Sequence, residues 1–461
     1  MKSSPTTAPE GAIRKVAASI KLAYGFGDIG SNIFIVTSGF FLLFFLTNVV
    51  GVNPALAGVA LLFPKLWDVV SDPIMGAISD RTRSRWGRRR PYLLFGALPF
   101  GLTFLAMFVV PGYESESARA LHAALMFALG CTAFTVVNVP YSSMVAEMSD
   151  DYNERMSITS FRMIGSSIGV LLAGGLAMPL VEMGGGGADG FRFMGIVFGA
   201  AIALITLVCF MGTGRARALP VGDIAPPAIE QVRIALKNRP FILLMASYML
   251  QSTGIGVLMA GLIYYIKHVM MLPETAMGVV FPILFGAAIA FIPVWVKVGK
   301  KLGKIRAYRI GLAIIGVMLV STFFTQASQL ALFYAQIFLL GIGFSSFQLF
   351  PFSMLPDTIE YDEMKSGMRR EGIFSGVWAS GQKMAYSVGP GIMGFALALS
   401  GFDASGPQGA NVATGIRIAF CLLPAAALLL SYIPFGAYDL TEEKFEEIKR
   451  TIAGKGSGGM R

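Results

Sequence analysis

Long apolar stretches alternate with short polar ones along almost the whole chain. An apolar helix of roughly 20 residues crosses a bilayer. About twelve runs reach that length: 22–47, 54–79, 91–111, 119–146, 158–182, 191–213, 240–268, 273–298, 305–325, 329–355, 372–400 and 412–437. None alternates residue by residue as a barrel strand does, and in hydrocarbon a helix satisfies its own backbone hydrogen bonds. The pattern predicts an all-α membrane protein of twelve transmembrane helices. A polar stretch from about Gly214 to Pro240, containing Pro220, Pro226 and Pro227, splits the runs six and six. It predicts an N-terminal half over 1–213, a cytoplasmic linker over 214–239, a C-terminal half over 240–440 and a cytoplasmic tail over 441–461. Within the linker, Val232–Leu236 is expected to form a short amphipathic helix on the membrane surface.

Composition agrees with the pattern. Hydrophobic residues make up 55% of the chain and charged ones 14%, with mean hydropathy +0.66. A soluble globular protein carries roughly 25% charged residues, because its surface must be wetted. Most of the 37 Lys and Arg fall in the tails and in alternate loops, including Arg81, Arg83, Arg85, Arg88, Arg89 and Arg90 in one and Lys300, Lys301, Lys304 and Arg306 in another. The opposite loops hold Arg119, Arg192, Lys267 and Arg417. That bias predicts both termini inside. A basic cytoplasmic face against anionic lipid accounts for the net charge of +10, so no nucleic-acid partner is expected. Cys131, Cys209 and Cys421 fall within spans at unrelated spacing and read as buried apolar residues. The polar first 20 residues lack a cleavable apolar core, so the first span is expected to be kept.

The halves echo each other. Trp86-Gly87-Arg88-Arg89-Arg90-Pro91-Tyr92 between spans two and three matches Leu302-Gly303-Lys304-Ile305-Arg306-Ala307-Tyr308 between spans eight and nine. Pro140-Tyr141-Ser142 likewise faces Pro351-Phe352-Ser353. Parallel six-span repeats resemble the construction of major-facilitator transporters, which hold substrate between the halves near the midplane. The Gly-plus-basic loop is similar to that superfamily's signature. Its guanidinium groups are expected to grip helix C-termini and carboxylates of the other half.

A charge within a bilayer costs roughly 2.5–3.5 kcal/mol on insertion scales. The ones of note inside the spans are Asp28, Lys65, Asp68, Asp72, Arg162 and Lys383. Asp68 and Asp72 lie one helical turn apart on one face. Two adjacent carboxylates in low dielectric repel, so a proton or a cation must sit with them. Ser71 can add a hydroxyl, and Pro73 frees the carbonyl of Val69. Lys65 can neutralise one acid, which leaves the other uncompensated. The pair is therefore read as a coupling site for Na⁺ or H⁺. Arg162 and Lys383 are expected to face the central cavity from opposite halves, as substrate ligands or in salt bridges, for instance with Asp28. Asp28 itself can equally cap the start of span one. His122 and His268 lie near outer loops and offer no catalytic or metal constellation. The absence of a G-x-x-x-x-G-K-[ST] loop argues against ATP-driven pumping.

With these residues in place, a resemblance is specific. Trp67-Asp68-x-x-Ser71-Asp72-Pro73-x-Met75-Gly76, followed by Thr82-Arg83-Ser84-Arg85-Trp86-Gly87-Arg88, resembles the signature of glycoside–pentoside–hexuronide:cation symporters. Tyr24-Gly25-Phe26-Gly27, Asn138-Val139-Pro140-Tyr141, Glu154-Arg155 and Asp357-x-x-Glu360-Tyr361-x-Glu363 extend the match over about residues 20–450. The resemblance implies a cation site of Asp68, Ser71, Asp72 and Thr135, with Na⁺ on Asp68 and Asp72 if sodium drives transport, and no cofactor. It implies a sugar pocket that includes Arg162 and Lys383, with Asn32, Asn138 and Ser142 standing where melibiose permeases have two Asp and a Trp. Trp378 is counted with the candidate substrate residues. These replacements move the chain from melibiose permeases towards the glucuronide and pentoside branches. Loss of two acids makes the pocket more positive, which predicts a carboxylated sugar. An amphiphile such as a lysophospholipid is the rival cargo. Arg83, Arg85, Arg88, Arg89, Glu147, Asp150, Asp357, Glu360 and Glu363 are expected to close an inner gate by pairing across the halves. The expectation is a monomeric, multi-pass protein of a bacterial inner membrane, in contact with lipid, that takes up a sugar or glycoside with a cation and is not an enzyme.

Overall fold

A computed structural model describes residues 15–149, 151–216, 228–368, 370–403, 409–441, 443–448 and 450. Pro220, Pro226 and Pro227 of the expected linker, Asp150 of the expected gate and 451–461 of the expected tail lie outside them. Twelve spans form the described part of the molecule. The first half contains α1 (Ala18–Phe40, continued by Leu42–Phe44 and a π-helical turn Phe45–Val49), α2 (Pro54–Arg81), α3 (Arg90–Met107), α4 (Glu116–Met148), α5 (Tyr152–Met183) and α6 (Gly187–Gly212). The second contains α7 (Arg239–His268), α8 (Met277–Leu302), α9 (Lys304–Phe323), α10 (Leu330–Ser366), α11 (Glu371–Leu399) and α12 (Ala410–Arg417, Ile418–Leu422 and Leu423–Gly436). Among the described residues, ten helices are long and apolar enough to cross a membrane, or eleven with the bent α1 taken as one span. The twelfth, α11, has 29 residues but is the more polar span that carries Gln382 and Lys383. A short helix, Ala228–Ala235, stands in the linker and packs against α11.

The helix starts follow local chemistry. Asn53 caps α2 by accepting from the Ala55 N–H, with Pro54 at the first helical position. Asn238 caps α7 through the Phe241 N–H, followed by Pro240. Both use a side-chain oxygen for an orphan backbone donor and a ring that needs none. The span that departs most from expectation is α10. Its 37 residues run to Gly367, whose left-handed backbone ends it, so Asp357 and Glu363 ride on helix.

Within the first half α1 packs on α5, α2 on α4 and α3 on α6; in the second, α7 packs on α11 and α12, and α10 on α8 and α9. The halves meet through α2 with α11, α5 with α8 and α1 with α7. These contacts concentrate at the side away from the basic loops. A Cβ on Gly394 of α11 would lie 2.3 Å from the Pro54 carbonyl oxygen, and one on Gly58 of α2 would lie 3.1 Å from Gly391 Cα. A Cβ on Gly174 of α5 would strike the Phe281 ring of α8. Phe40 sits against Phe281, ring centroids 4.7 Å apart, and Thr47 shares a hydrogen bond of 2.6 Å with the Tyr264 hydroxyl of α7.

The two halves share a third echo here that residue identity hides. Val50 N–H donates to the Phe45 carbonyl and Val52 to Leu46; Met270 donates to Tyr265 and Leu272 to Ile266. Each closing turn needs one residue at positive φ, Gly51 (72°) in the first half and Met271 (55°) in the second. Only the first announces itself as glycine.

On the basic side, Gly87 (φ 91°) and Gly303 (φ 80°) turn the loops back on their own helices. Arg88 and Arg89 bond Glu147 on α4 at 2.9 and 2.6 Å, and Arg89 also reaches Asp80 at 2.9 Å. Lys304 bonds the Asp357 carboxylate at 2.7 Å and the Ser353 carbonyl at 2.9 Å. These pairs stay within one half, whereas pairing across the halves was expected. The glycine turn is tight enough that the basic residues after it reach the nearest carboxylate, which belongs to the neighbouring helix of the same repeat. Of the other expected gate residues, Arg85 stacks its guanidinium on Trp86 at 4.1 Å.

Candidate functional site

Two polar patches lie side by side in the first half, and α4 contributes to both. The first rests on α2. Asp68 is 2% exposed and Asp72 lies one turn further along. Thr135 of α4 donates to Asp72 Oδ1 at 2.8 Å, and the Ser71 hydroxyl lies 3.5 Å from both Thr135 Oγ1 and the Asp68 carbonyl oxygen. The four residues expected to form a cation site are therefore together.

The charge count differs from the expectation of one uncompensated acid. Lys65 Nζ lies 3.6 Å from Asp68 Oδ2, over the Phe34 and Phe127 rings at 5.3 and 5.2 Å. Lys383 reaches across from α11 and pairs with Asp72 Oδ2. Two acids thus meet two bases. Among the described residues, Asp68 Oδ1 is buried without a hydrogen-bond partner. Such an oxygen is costly to bury unless something positive occupies it. Together with the Ser71 and Thr135 hydroxyls and Asp72, it forms an all-oxygen set that fits a hard cation or a proton.

The second patch rests on α1, α4 and α5. Arg162 of α5 grips Asp28 of α1 in two-point fashion, Nε to Oδ2 at 2.7 Å and Nη2 to Oδ1 at 3.2 Å. The guanidinium lies over the Tyr24 and Tyr141 rings at 5.8 and 5.0 Å, and the Tyr141 hydroxyl shares its one proton between the Tyr24 carbonyl at 2.7 Å and Asp28 Oδ2 at 3.1 Å. Close approach of α1 and α5 permits this, because a Cβ on Gly165 would overlap the Gly25 carbonyl at 2.0 Å. Asn32, one turn beyond Asp28, donates to the Asp28 carbonyl at 2.8 Å; its neighbour Ser31 donates to Asn138 Oδ1 at 3.2 Å. Asn138 lies one turn from Thr135 on α4, and Ser142 one turn further, bonded to the Val139 carbonyl. Asn32, Asn138, Ser142 and Arg162 are all half-buried.

Trp378 does not join them. It is 2% exposed and stacked on Tyr248 at 4.5 Å, between Phe241 and Phe352, within the second half. An indole surrounded on several sides by aromatic rings of its own half has no face left for a cargo. The residues that sequence reasoning missed are Tyr141, which orients Asp28, and the Thr47–Tyr264 bond at the far side. Tyr141 lies in a motif already singled out. Thr47 and Tyr264 carried no signal beyond their place at the ends of repeat-related spans.

Twelve spans in two six-helix repeats around a central polar site define a membrane transporter of the major facilitator fold, not an enzyme. The chain belongs to the MFS/sugar transport protein family, whose description matches residues 23–442. It is 28% identical to the inner membrane symporter YicJ of Escherichia coli over 94% of each chain. It is 27% identical to the glucuronide carrier protein homolog of Escherichia coli over 93% of each. It is 25% identical to the isoprimeverose transporter of Lactiplantibacillus pentosus over 94% of this chain and 91% of that one. The crystal structure of a D-xylose-proton symporter shares the fold at TM-score 0.64 and 16% identity, covering 90% of this chain and 97% of that one. An inward-facing bacterial homolog of the lysosomal transporter Spinster shares it at TM-score 0.69 and 13% identity, over 95% and 96%.

Proposed function

We propose that the protein is a secondary symporter that couples entry of Na⁺ or H⁺ to uptake of a sugar or glycoside by alternating access. The observation that carries this is the position of Asp72, bonded at once to Thr135 of its own half and to Lys383 of the other. A cation arriving among Asp68, Ser71, Asp72 and Thr135 must displace the Lys383 ammonium from Asp72. That breaks a link between the halves, which is how binding is transmitted to the rocking that exchanges access.

The cargo site in this reading is the patch of Asn32, Asn138, Ser142 and Arg162, one turn along α4 from the cation site. Shared support on α4 makes order at one patch favour order at the other. With both termini placed in the cytoplasm of a bacterial inner membrane, the basic side is the inner one, and the tight far side is the closed outer gate. Each chain carries both halves of the pathway, which supports a monomer. The isoprimeverose transporter and the glucuronide carrier homolog among the relatives support a sugar cargo.

The test is uptake into proteoliposomes carrying an imposed sodium or pH gradient. Asp72→Asn and Asp68→Asn are expected to abolish uphill accumulation while sparing exchange. Uphill uptake of normal extent in both variants would refute the coupling site. The gradient that drives the wild type identifies the cation.

A further inference from the structure

We propose that Phe352 of α10 and Gln382 of α11 form the second half's wall of the cargo site. Phe352 is the platform for the apolar face of a pyranose ring, and Gln382 is an uncharged hydrogen-bond partner for its hydroxyls. The inference rests on the sugar reading above and deepens it. The cargo patch of that reading belongs wholly to the first half, whereas a site held between two halves takes a wall from each.

The internal repeat locates the second wall. The step along the chain that takes Gly51 to Met271 also takes Asp28 to Tyr248 and Arg162 to Gln382. The echo of Pro140 in Pro351 takes Tyr141 to Phe352. The same connections are made in both halves. Arg162 bonds Asp28 at 2.7 Å and Gln382 bonds the Tyr248 hydroxyl at 2.6 Å, and each bond joins residues 134 apart. The Tyr141 hydroxyl lies 3.1 Å from Asp28, and the Phe352 ring meets Tyr248 edge-on with centroids 6.0 Å apart. The second half thus holds an uncharged copy of the clamp that the first half builds from an ion pair.

Burial separates the two copies. Tyr24 and Tyr141 are 0% and 2% exposed, so the first clamp presents polar groups and no open ring. Phe352 is 45% exposed. It does not turn towards α8 and α9, where Phe350 meets Trp295 and Tyr308. It lies on Tyr248 of α7 and Trp378 of α11 instead, and those helices meet α1 and α2 of the other half. Its open part therefore looks into the space between the halves. Gln382 is half-buried beside it on α11; its amide N–H donates to Tyr248, and among the described residues its Oε1 has no hydrogen-bond partner. A pyranose carries hydroxyls around its rim and C–H groups on its faces. A pocket for it needs aromatic surface with a few convergent polar groups, and the electron-rich face of an aromatic ring suits the C–H side.

The experiment combines counterflow in proteoliposomes with thiol protection, using methyl β-xyloside and methyl β-glucuronide as probes. Phe352→Leu keeps the bulk without the ring, and Gln382→Met keeps the length without the amide. Each should raise the half-saturating concentration of the exchanged probe about 3- to 10-fold while leaving the maximal rate near that of the wild type. Phe352→Tyr should restore the parent value, which a role in packing alone does not predict for a loss of affinity. Cys131, Cys209 and Cys421 are buried, so Phe352→Cys supplies the thiol that a permeant maleimide labels. The probe that the wild type exchanges should slow that labelling. An unchanged half-saturation in Phe352→Leu, or labelling of Phe352→Cys at the same rate with the exchanged probe present, overturns the wall while leaving the sugar reading intact. Exchange of neither probe by the wild type overturns the sugar reading and the wall together.

Discussion

Gly394→Ala tests whether contact at the far side sets the conformational equilibrium. The added methyl would sit 2.3 Å from the Pro54 carbonyl oxygen and 3.0 Å from Gly58 Cα, where ordinary contact begins near 3.4 Å. Both neighbours are backbone, so α2 and α11 must part by about 1 Å to accommodate it. Overpacking of this kind costs about 1–3 kcal/mol. Only the state with its far side closed bears that cost, because alternating access separates these ends in the other state. At tenfold per 1.4 kcal/mol, the balance between states should shift about 5- to 150-fold towards far-side opening. Any gain in helix propensity from Ala is common to both states and cancels. Gly391→Ala on the same helix is the control, since its Cβ would meet nothing nearer than the Gly58 oxygen at 3.8 Å. Spin labels on Ser117 and Leu399, both exposed at the far side and in opposite halves, report the separation. Gly394→Ala should populate the longer distance and Gly391→Ala should match the parent. Equal distributions in the two variants would refute the reasoning.

Three further outcomes follow from single contacts. Met271 is 73% exposed and holds a left-handed backbone at φ 55°; relief of that strain outweighs the entropy of an added glycine, so Met271→Gly should stabilise the protein by about 0.5–1 kcal/mol. A lower melting temperature in detergent would contradict this. Asp72→Asn and Lys383→Gln each strand a partner charge that is only partly wet, at a cost of about 1–3 kcal/mol, discounted from a fully buried pair; the double variant should be less destabilised than the two singles added together. Additivity in a melting cycle would show that the pair does not couple the halves. Tyr264→Phe removes the bond to Thr47, and at about 1 kcal/mol it should open the far side several-fold by the same spin-label distance; no change would assign that closure to the glycine contacts alone.

The twelve spans were legible from the chain to within a few residues at most ends, because the bilayer imposes one local rule on every one of them. A run either is long and apolar or it is not, and a helix satisfies its backbone within itself. The same locality placed Asp68 and Asp72 on one face, since a spacing of four is a property of the helix and of nothing else. Ser71 came from the same turn of helix, and Thr135 came with the family resemblance; its hydroxyl lies 2.8 Å from Asp72 Oδ1. The extension of α10 to Ser366 escaped notice because its last turns are polar, and apolarity was the signal being read.

What tertiary structure alone decided is which charge answers which. Asp72 meets Lys383 across 311 residues and Asp28 meets Arg162 across 134. No periodicity spans such distances; the docking of whole helices sets them. That docking turned a pocket expected to be positive into a balanced one, and in this state it sets Arg88, Arg89 and Lys304 on carboxylates of their own repeat. It also buried Trp378 among the rings of its own half. Sequence settles what each helix must be, because the solvent acts on each helix separately. Cargo charge and gate pairing depend on what stands opposite, and that is fixed only when helices far apart in the chain pack together.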